Sequence, residues 1–492
     1  MSRFTLSAIA AATLSLVSVA SQAATIQITS RDPAGVGFND TTPVSPVGGN
    51  TGTTLGEQRM NVYKYVAHIW EQNLDSDVVI TVNAGWEALT CTSTSATLGS
   101  AGAWNIWHDF PGGVPGTWYP QALANKLAHV NLSAGVPPGP SGYDNVDIKT
   151  QFNVNLGKPG CLDNTPFYLG LDGNAGTQVN FVETLLHELG HGLGFSVLTV
   201  DTSTGNRLNS DGTAYVAVGG VPSIWEGFMY DNTAGKLWLD MTALERKNSA
   251  INPLKLAWKS APMSAAAAVT LGYVPSMKVA TPAPTGSGFY DYGTASFGAV
   301  VQTGANFGAL ATVPADPVNG AGCLAFSPAV AAAVNGKVAI IDRGTCSFTV
   351  KAKNAQNAGA VGVIIANNAA GAAPGLGGSD ATVVIPTVSV SQADGVTLKQ
   401  VVVDAAKYGS RSKPGVATSA FALDTSRKAG ADSAGRPLLY TPNPRVAGSS
   451  VSHWDVSASR NQLMEPAITP DLTTTVTPPI DLTKPLLQDL GW

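Results

Sequence analysis

The residues best placed to do chemistry lie in the nonapeptide HELGHGLGF, His187 to Phe195. On an α-helix His187 and His191 are four positions apart, so about 400° of rotation returns their imidazoles to within roughly 40° of each other, one turn apart. Both can then reach one metal ion. Glu188 is rotated by about 100° from His187, close enough to touch a water on that metal but badly placed to ligate it. Two neutral imidazoles on Zn²⁺ with a carboxylate to take a proton from the bound water form the layout for metal-assisted hydrolysis. The plainer alternative is a pair of surface histidines near a helix end.

Several elements must position this motif. The run GTQVNFVETLL leading into it is amphipathic at the helical period, and Gly192 and Gly194 stand where the helix is expected to end, since glycine tolerates a left-handed cap. Upstream, IQITS reads as a strand, TLGEQRMNVYKYVAHIWEQNL as a helix and DVVITVNAGWEAL as a β-rich run, the upper half of an α/β catalytic domain. DNVDIKTQFNVNLG, Asp144 to Gly157, alternates as a strand and is a candidate for a sheet edge on which an extended peptide could pair; an inner strand is the alternative. Leu98 to Gly142 is rich in Gly, Pro and Trp and reads as a long ordered loop region. Pro222 to Trp258 reads as helical and aromatic, with Trp225, Phe228 and Trp238 as core.

Composition bounds the function. With 44% apolar and 12% charged residues among 492, the chain is globular, and a net charge of −5 without like-charge runs leaves no footprint for nucleic acid or an anionic membrane. Residues 1–23 have Arg3 followed by an apolar region and small residues before Ala24, the pattern of a signal peptide cleaved after Ala23. The mature protein is expected to be secreted and extracellular, with periplasmic transit possible as a route, and without membrane insertion. Cys91, Cys161, Cys323 and Cys346 fit an oxidising compartment, and their two clusters favour Cys91–Cys161 and Cys323–Cys346 among the three possible pairings. No cysteine precedes Cys91, which argues against a thiol latch on the metal. The loops LDGNAG and NSDGTAY are candidate Ca²⁺ sites, with solvated turns as the alternative.

A catalytic zinc usually has three protein ligands and a water, so the motif is incomplete. Glu226 or Glu245 would complete a thermolysin-like plan. A metzincin-like HExxHxxGxxH is broken by Val197, which stands where its third histidine would be. His68, His108, His129 and His453 remain, and the last lies in SVSHWDVSASRNQLMEP. That segment, together with HELGHGLGF, resembles the leishmanolysin-like metallopeptidases, in which a third zinc histidine and a Met-turn follow at long and variable distance. The resemblance implies His187, His191 and His453 as ligands of one catalytic Zn²⁺, Glu188 as general base and Met464 as the floor below the metal. Unlike the surface enzymes that name that family, this protein is expected to have neither prosegment latency nor a lipid anchor.

Between them, KVAIID, GVIIAN and VVIPTVSVS alternate with the helical SFTVKAKNAQNAG, and Ala339 to Asn368 resembles a protease-associated domain. The expected organisation is a metzincin-like α/β (α+β) zinc peptidase domain, residues 24–275 and 411–492, split by an inserted α/β domain at 276–410. The expected function is a secreted zinc endopeptidase acting on protein or peptide substrates. A catalytically inactive binding or adhesion protein on the same scaffold is the alternative, and a non-peptide zinc hydrolase is weaker still. Cleavage preference and oligomeric state are not legible.

Overall fold

A computed structural model describes residues 23–135, 145–314, 321–410, 412–469 and 471–492. Apart from Ala23, the expected signal peptide lies outside the described residues. The chain divides into two compact units, the first built from residues up to Thr270 together with Arg436–Val456 and Arg460–Trp492, the second from Leu271–Gly435 with Ser457–Ser459. Among the described residues, no helix is long and apolar enough to cross a membrane.

The first unit is organised on a four-stranded sheet in the order β1 (Ile26–Ser30), β2 (Ile80–Glu87), β4 (Ile148–Asn153), β3 (Gly99–Ala103). The β1–β2 and β2–β4 pairs are parallel, and β3 runs antiparallel to β4. The Asp144–Gly157 stretch therefore supplies an inner strand. The edge next to it is β3, whose sequence GSAGA has no β-branched or aromatic signal. Its small residues have a reason: a Cβ on Gly99 would come within 2.4 Å of Cδ1 of Phe152, so the strand passes against that ring.

Three helices matter for the site: α1 (Leu55–Glu71), α2 (Gln121–Ala128) and α3 (Phe181–Leu193). Helix α1 begins at a capping box in which Thr54 Oγ1 accepts the Glu57 N–H at 3.2 Å and Glu57 Oε2 accepts the Thr54 N–H at 3.1 Å. Helix α3 carries HELGH and lies on β4. Phe181, its first residue, packs edge-on against Phe152 with ring centroids 4.9 Å apart, and Gly192 near its end sits over Ile148. Tyr63 and Trp86 complete an aromatic cluster around Phe152. Cys91 is bonded to Cys161 across this end of the sheet, as the sequence suggests.

Pro222–Trp258 departs from the helical expectation. It folds as a three-stranded sheet, with Met229–Asp231 between Lys236–Leu237 and Leu256–Trp258, and only Ala243–Ser249 is α-helical. Aromatic residues here serve strands and turns: Trp225 and Trp238 are buried, and Phe228 stacks on Trp258 at 5.0 Å.

The second unit holds the expected strands Val338–Asp342, Gly362–Ala366 and Thr387–Val390, parallel to one another and to Asn306–Thr312. Alternate residues face opposite sides. Ile340, Ile364 and Val388 pack with Leu398 and Val401 of the helix Gln392–Ala405, while Ala339, Ile341, Val363 and Ile365 pack with Ala352 and Ala355 of the helix Phe348–Asn357. Cys323 and Cys346 form the second disulfide. This unit is wider than residues 276–410, because Thr418–Lys428 pairs along the length of Tyr273–Ala280 and belongs to the same sheet.

Phe152 is fully buried beneath the start of α3. Phe152→Ala is expected to cost about 3–5 kcal/mol of stability, read as a lowered urea midpoint followed by tryptophan fluorescence.

Candidate metal centre

Helix α3 starts at Asn180, whose side-chain oxygen accepts the Val182 N–H at 3.1 Å, and stops at Gly194, where φ reaches +124°. Gly194 thus ends the helix as expected. Gly192 lies within the helix, where a Cβ would fall 2.3 Å from Ile148 Cγ2. It is a site of close approach, and so is Gly190, whose Cβ would lie 2.8 Å from Sδ of Met464.

The helix brings His187 and His191 onto one face, and His453 arrives from 262 residues away. The Nε2 atoms of His187 and His191 are 3.1 Å apart, and those of His191 and His453 3.2 Å. Each ring is held by its other nitrogen: the Nδ1–H groups donate to the carbonyls of Leu463 at 2.7 Å, Phe195 at 2.7 Å and Ser449 at 2.8 Å for His187, His191 and His453 respectively. With Nδ1 protonated, each Nε2 presents a lone pair, and lone pairs at these separations repel unless a cation lies among them. Tetrahedral zinc with Zn–N near 2.0–2.1 Å places ligand nitrogens about 3.3 Å apart, so the donor set fits that ion. Burial depresses all three imidazoles, His187 to about 4, His453 to about 3 and His191 well below its ordinary value, which keeps them neutral at pH 7.

Glu188 is buried on the neighbouring face of α3 and bonded to the backbone N–H of Ala101 in β3; burial raises its carboxyl to about 8 against that bond. Met464 is fully buried below Gly190, and its carbonyl accepts the N–H of Trp454 at 2.8 Å. Phe195 packs between Trp225 and Trp454, joining the end of the motif to the segment that carries His453. Val197, which occupies the short-motif histidine position, donates its N–H to Ser452 Oγ at 3.2 Å, so the distant segment docks where a local histidine would have stood.

The other candidates lie elsewhere. Glu226 is bonded to Arg207 at 2.7 Å, and Glu245 to Lys236 and the N-terminus of its own helix. His68 is near Glu71, His108 bonds Asp109 and the Ser210 carbonyl, and His129 faces Asp77. In the proposed Ca²⁺ loops, Asp172 accepts from Tyr168 and Asn174, and Asp211 from Thr213. Among the described residues, His187, His191 and His453 form the one metal-capable group of three or more His, Cys, Asp or Glu. Sequence reasoning missed the edge strand and Ser452; neither carries a local signal.

Residues 308–398 match the PA domain family, so the second unit contains a PA domain. The chain is 46% identical over 68 residues to leucine aminopeptidase 2 of Arthroderma otae, 14% of each chain. It is 37% identical over 95 residues to a probable leucine aminopeptidase 2 of Aspergillus fumigatus, 19% of each. It thus spans under a fifth of the length of these relatives. Solved structures with similarity include a zinc aminopeptidase from Bacillus subtilis, 22% identical over 34% of this chain and 37% of that one, with a TM-score of 0.20. An aminopeptidase from Aneurinibacillus is 20% identical over 41% of this chain and 42% of that one, also with a TM-score of 0.20. Scores this low carry no weight for the fold of the first unit.

Three outcomes follow from the donor set and its packing. His453→Ala is expected to lower zinc content, measured by atomic emission after dialysis, from about one ion per chain to a small fraction, with the circular dichroism unchanged. Gly192→Ala is expected to lower thermal stability by about 1–2 kcal/mol, because overpacking against β-branched Ile148 outweighs the roughly 1 kcal/mol gained in helix propensity. Gly190→Ala, facing the flexible Met464 side chain, is expected to be close to neutral.

Proposed function

We propose that this protein is an exported zinc-dependent peptidase, with His187, His191 and His453 holding one zinc ion and Glu188 as general base. The observation that carries the reading is the convergence of three buried, neutral imidazole Nε2 atoms, each aimed by an Nδ1–H bond to a backbone carbonyl. The leishmanolysin-like resemblance of HELGHGLGF and HWD…LMEP, and the position of Met464 under the helix, support the metzincin plan. The two disulfides are in keeping with an oxidising compartment.

A zinc ion bound there would polarise a peptide carbonyl and acidify a water. Glu188 would take up a proton from the attacking water and deliver it to the leaving amine. Burial alone raises its carboxyl to about 8, and the positive charge of a bound zinc ion would lower it towards the carboxylate form a base needs, while the Ala101 N–H keeps it oriented. Strand β3 is the sheet edge beside α3, and an extended substrate adds to it through backbone hydrogen bonds that do not depend on side-chain sequence. Such pairing suits cleavage within a chain, so we read the enzyme as an endopeptidase.

The names of the relatives favour a second reading, removal of N-terminal residues. Mass-spectrometric mapping of products from N-acetylated and free peptides separates the two: internal cuts in acetylated peptides are expected, and release of single N-terminal residues from free peptides alone would establish the aminopeptidase reading. Glu188→Gln is expected to retain zinc while turnover falls by at least about 10²–10⁴-fold. Wild-type metal content without hydrolysis of any peptide would leave a binding protein on a peptidase scaffold.

A further inference from the structure

We propose that Asp481 is a positioning residue of the metal centre, holding the Leu463–Met464 turn from behind so that His187 and His453 keep their orientation; this rests on the zinc-peptidase reading above. Leu463 and Met464 bear on one ligand directly and on the segments that carry the other two. The Leu463 carbonyl accepts from His187 Nδ1, the Met464 carbonyl accepts from the N–H of Trp454 beside His453, and the Met464 side chain lies under Gly190 of α3. A turn with these duties must itself be fixed.

What fixes it is a short segment near the C-terminal helix Thr483–Leu490. Asp481 is 2% exposed, and its Oδ2 accepts the Leu463 N–H at 2.7 Å while Oδ1 accepts the Thr483 N–H at 2.7 Å. Gln462, fully buried, adds a second tie, its Oε1 accepting the Leu482 N–H at 3.0 Å. Asp481 therefore bonds the residue whose carbonyl orients His187, without touching the histidine. The chemistry calls for a carboxylate. Both oxygens face backbone donors, and an asparagine would turn an NH₂ group toward one of them, leaving two donors opposed in a buried place.

A structural carboxylate elsewhere in the same unit provides the comparison. Asp231, also 2% exposed, accepts the N–H groups of Thr233 at 2.7 Å and Ala234 at 2.8 Å and the hydroxyl of Ser249 at 2.5 Å, none of which adjoins a candidate ligand. Asp481→Asn and Asp231→Asn in the full chain are compared by thermal melting, by zinc affinity from competition with a chromophoric chelator, and by the visible spectrum of the Co²⁺ form. Both are expected to melt earlier than wild type. Only Asp481→Asn is expected to bind zinc more weakly, by about ten-fold or more, with altered Co²⁺ bands. Zinc affinity and Co²⁺ bands in Asp481→Asn equal to those of Asp231→Asn would overturn the proposal. Should Asp481→Asn fail to fold, Gln462→Met decides by the same criterion: weakened zinc supports the clamp, and wild-type affinity overturns it. A wild-type chain that takes up no zinc overturns the metal reading itself, and this assignment with it.

Discussion

Three imidazole lone pairs directed into one small, buried volume are mutually repulsive, and the architecture around them exists to hold them there. The restraint comes from three backbone carbonyls, those of Leu463, Phe195 and Ser449, each from a different part of the chain. A hydrogen bond at Nδ1 fixes both the tautomer and the plane of the ring, so the donor set is organised before any ion arrives. Burial works in the same direction by disfavouring the imidazolium form that could not bind metal. Irregular backbone at 194–199, 449–455 and 461–465 is therefore as much a part of the site as the helix.

Close approach is the second constraint. Helix α3 is pressed between β4, α1 and the Met464 turn, and its glycines divide the work: Gly190 admits Met464, Gly192 admits Ile148, and Gly194 reverses the chain. The same logic explains GSAGA as an edge strand. The missing side chain at Gly99 lets β3 cross the Phe152 ring, and two residues on, the strand brings the Ala101 N–H to Glu188.

The sequence was legible wherever local periodicity and caps decide the outcome. Helix α3, its end at Gly194, helix α1 and the strands of the second unit all follow from spacing. His453 and Met464 were reachable through resemblance alone, since nothing in their spacing links them to His187. What stayed hidden is tertiary. Strand β3 has no β-propensity to betray it, and Pro222–Trp258 has helical composition yet folds as strands because its aromatic residues are consumed by cross-strand packing. The compact unit Leu271–Gly435 is wider than the expected insertion because Thr418–Lys428 finds its partner some 150 residues away.

That pairing also explains how a histidine so distant in sequence can complete a compact site. Closing a flexible loop costs about (3/2)RT ln n, so an unfolded insertion the length of Leu271–Gly435 would cost on the order of 3 kcal/mol more than a turn of a few residues. At about 1.4 kcal/mol per decade, that is roughly a hundred-fold in affinity for any ion needing both sides of the loop. The second unit removes most of this penalty by its own topology. Its entry strand Tyr273–Ala280 and exit strand Thr418–Lys428 are paired antiparallel, with Tyr273 opposite Lys428, so chain enters and leaves at neighbouring points. To the first unit the insertion is, in entropy, a short connection, and His453 reaches His187 and His191 as if it followed them closely in sequence.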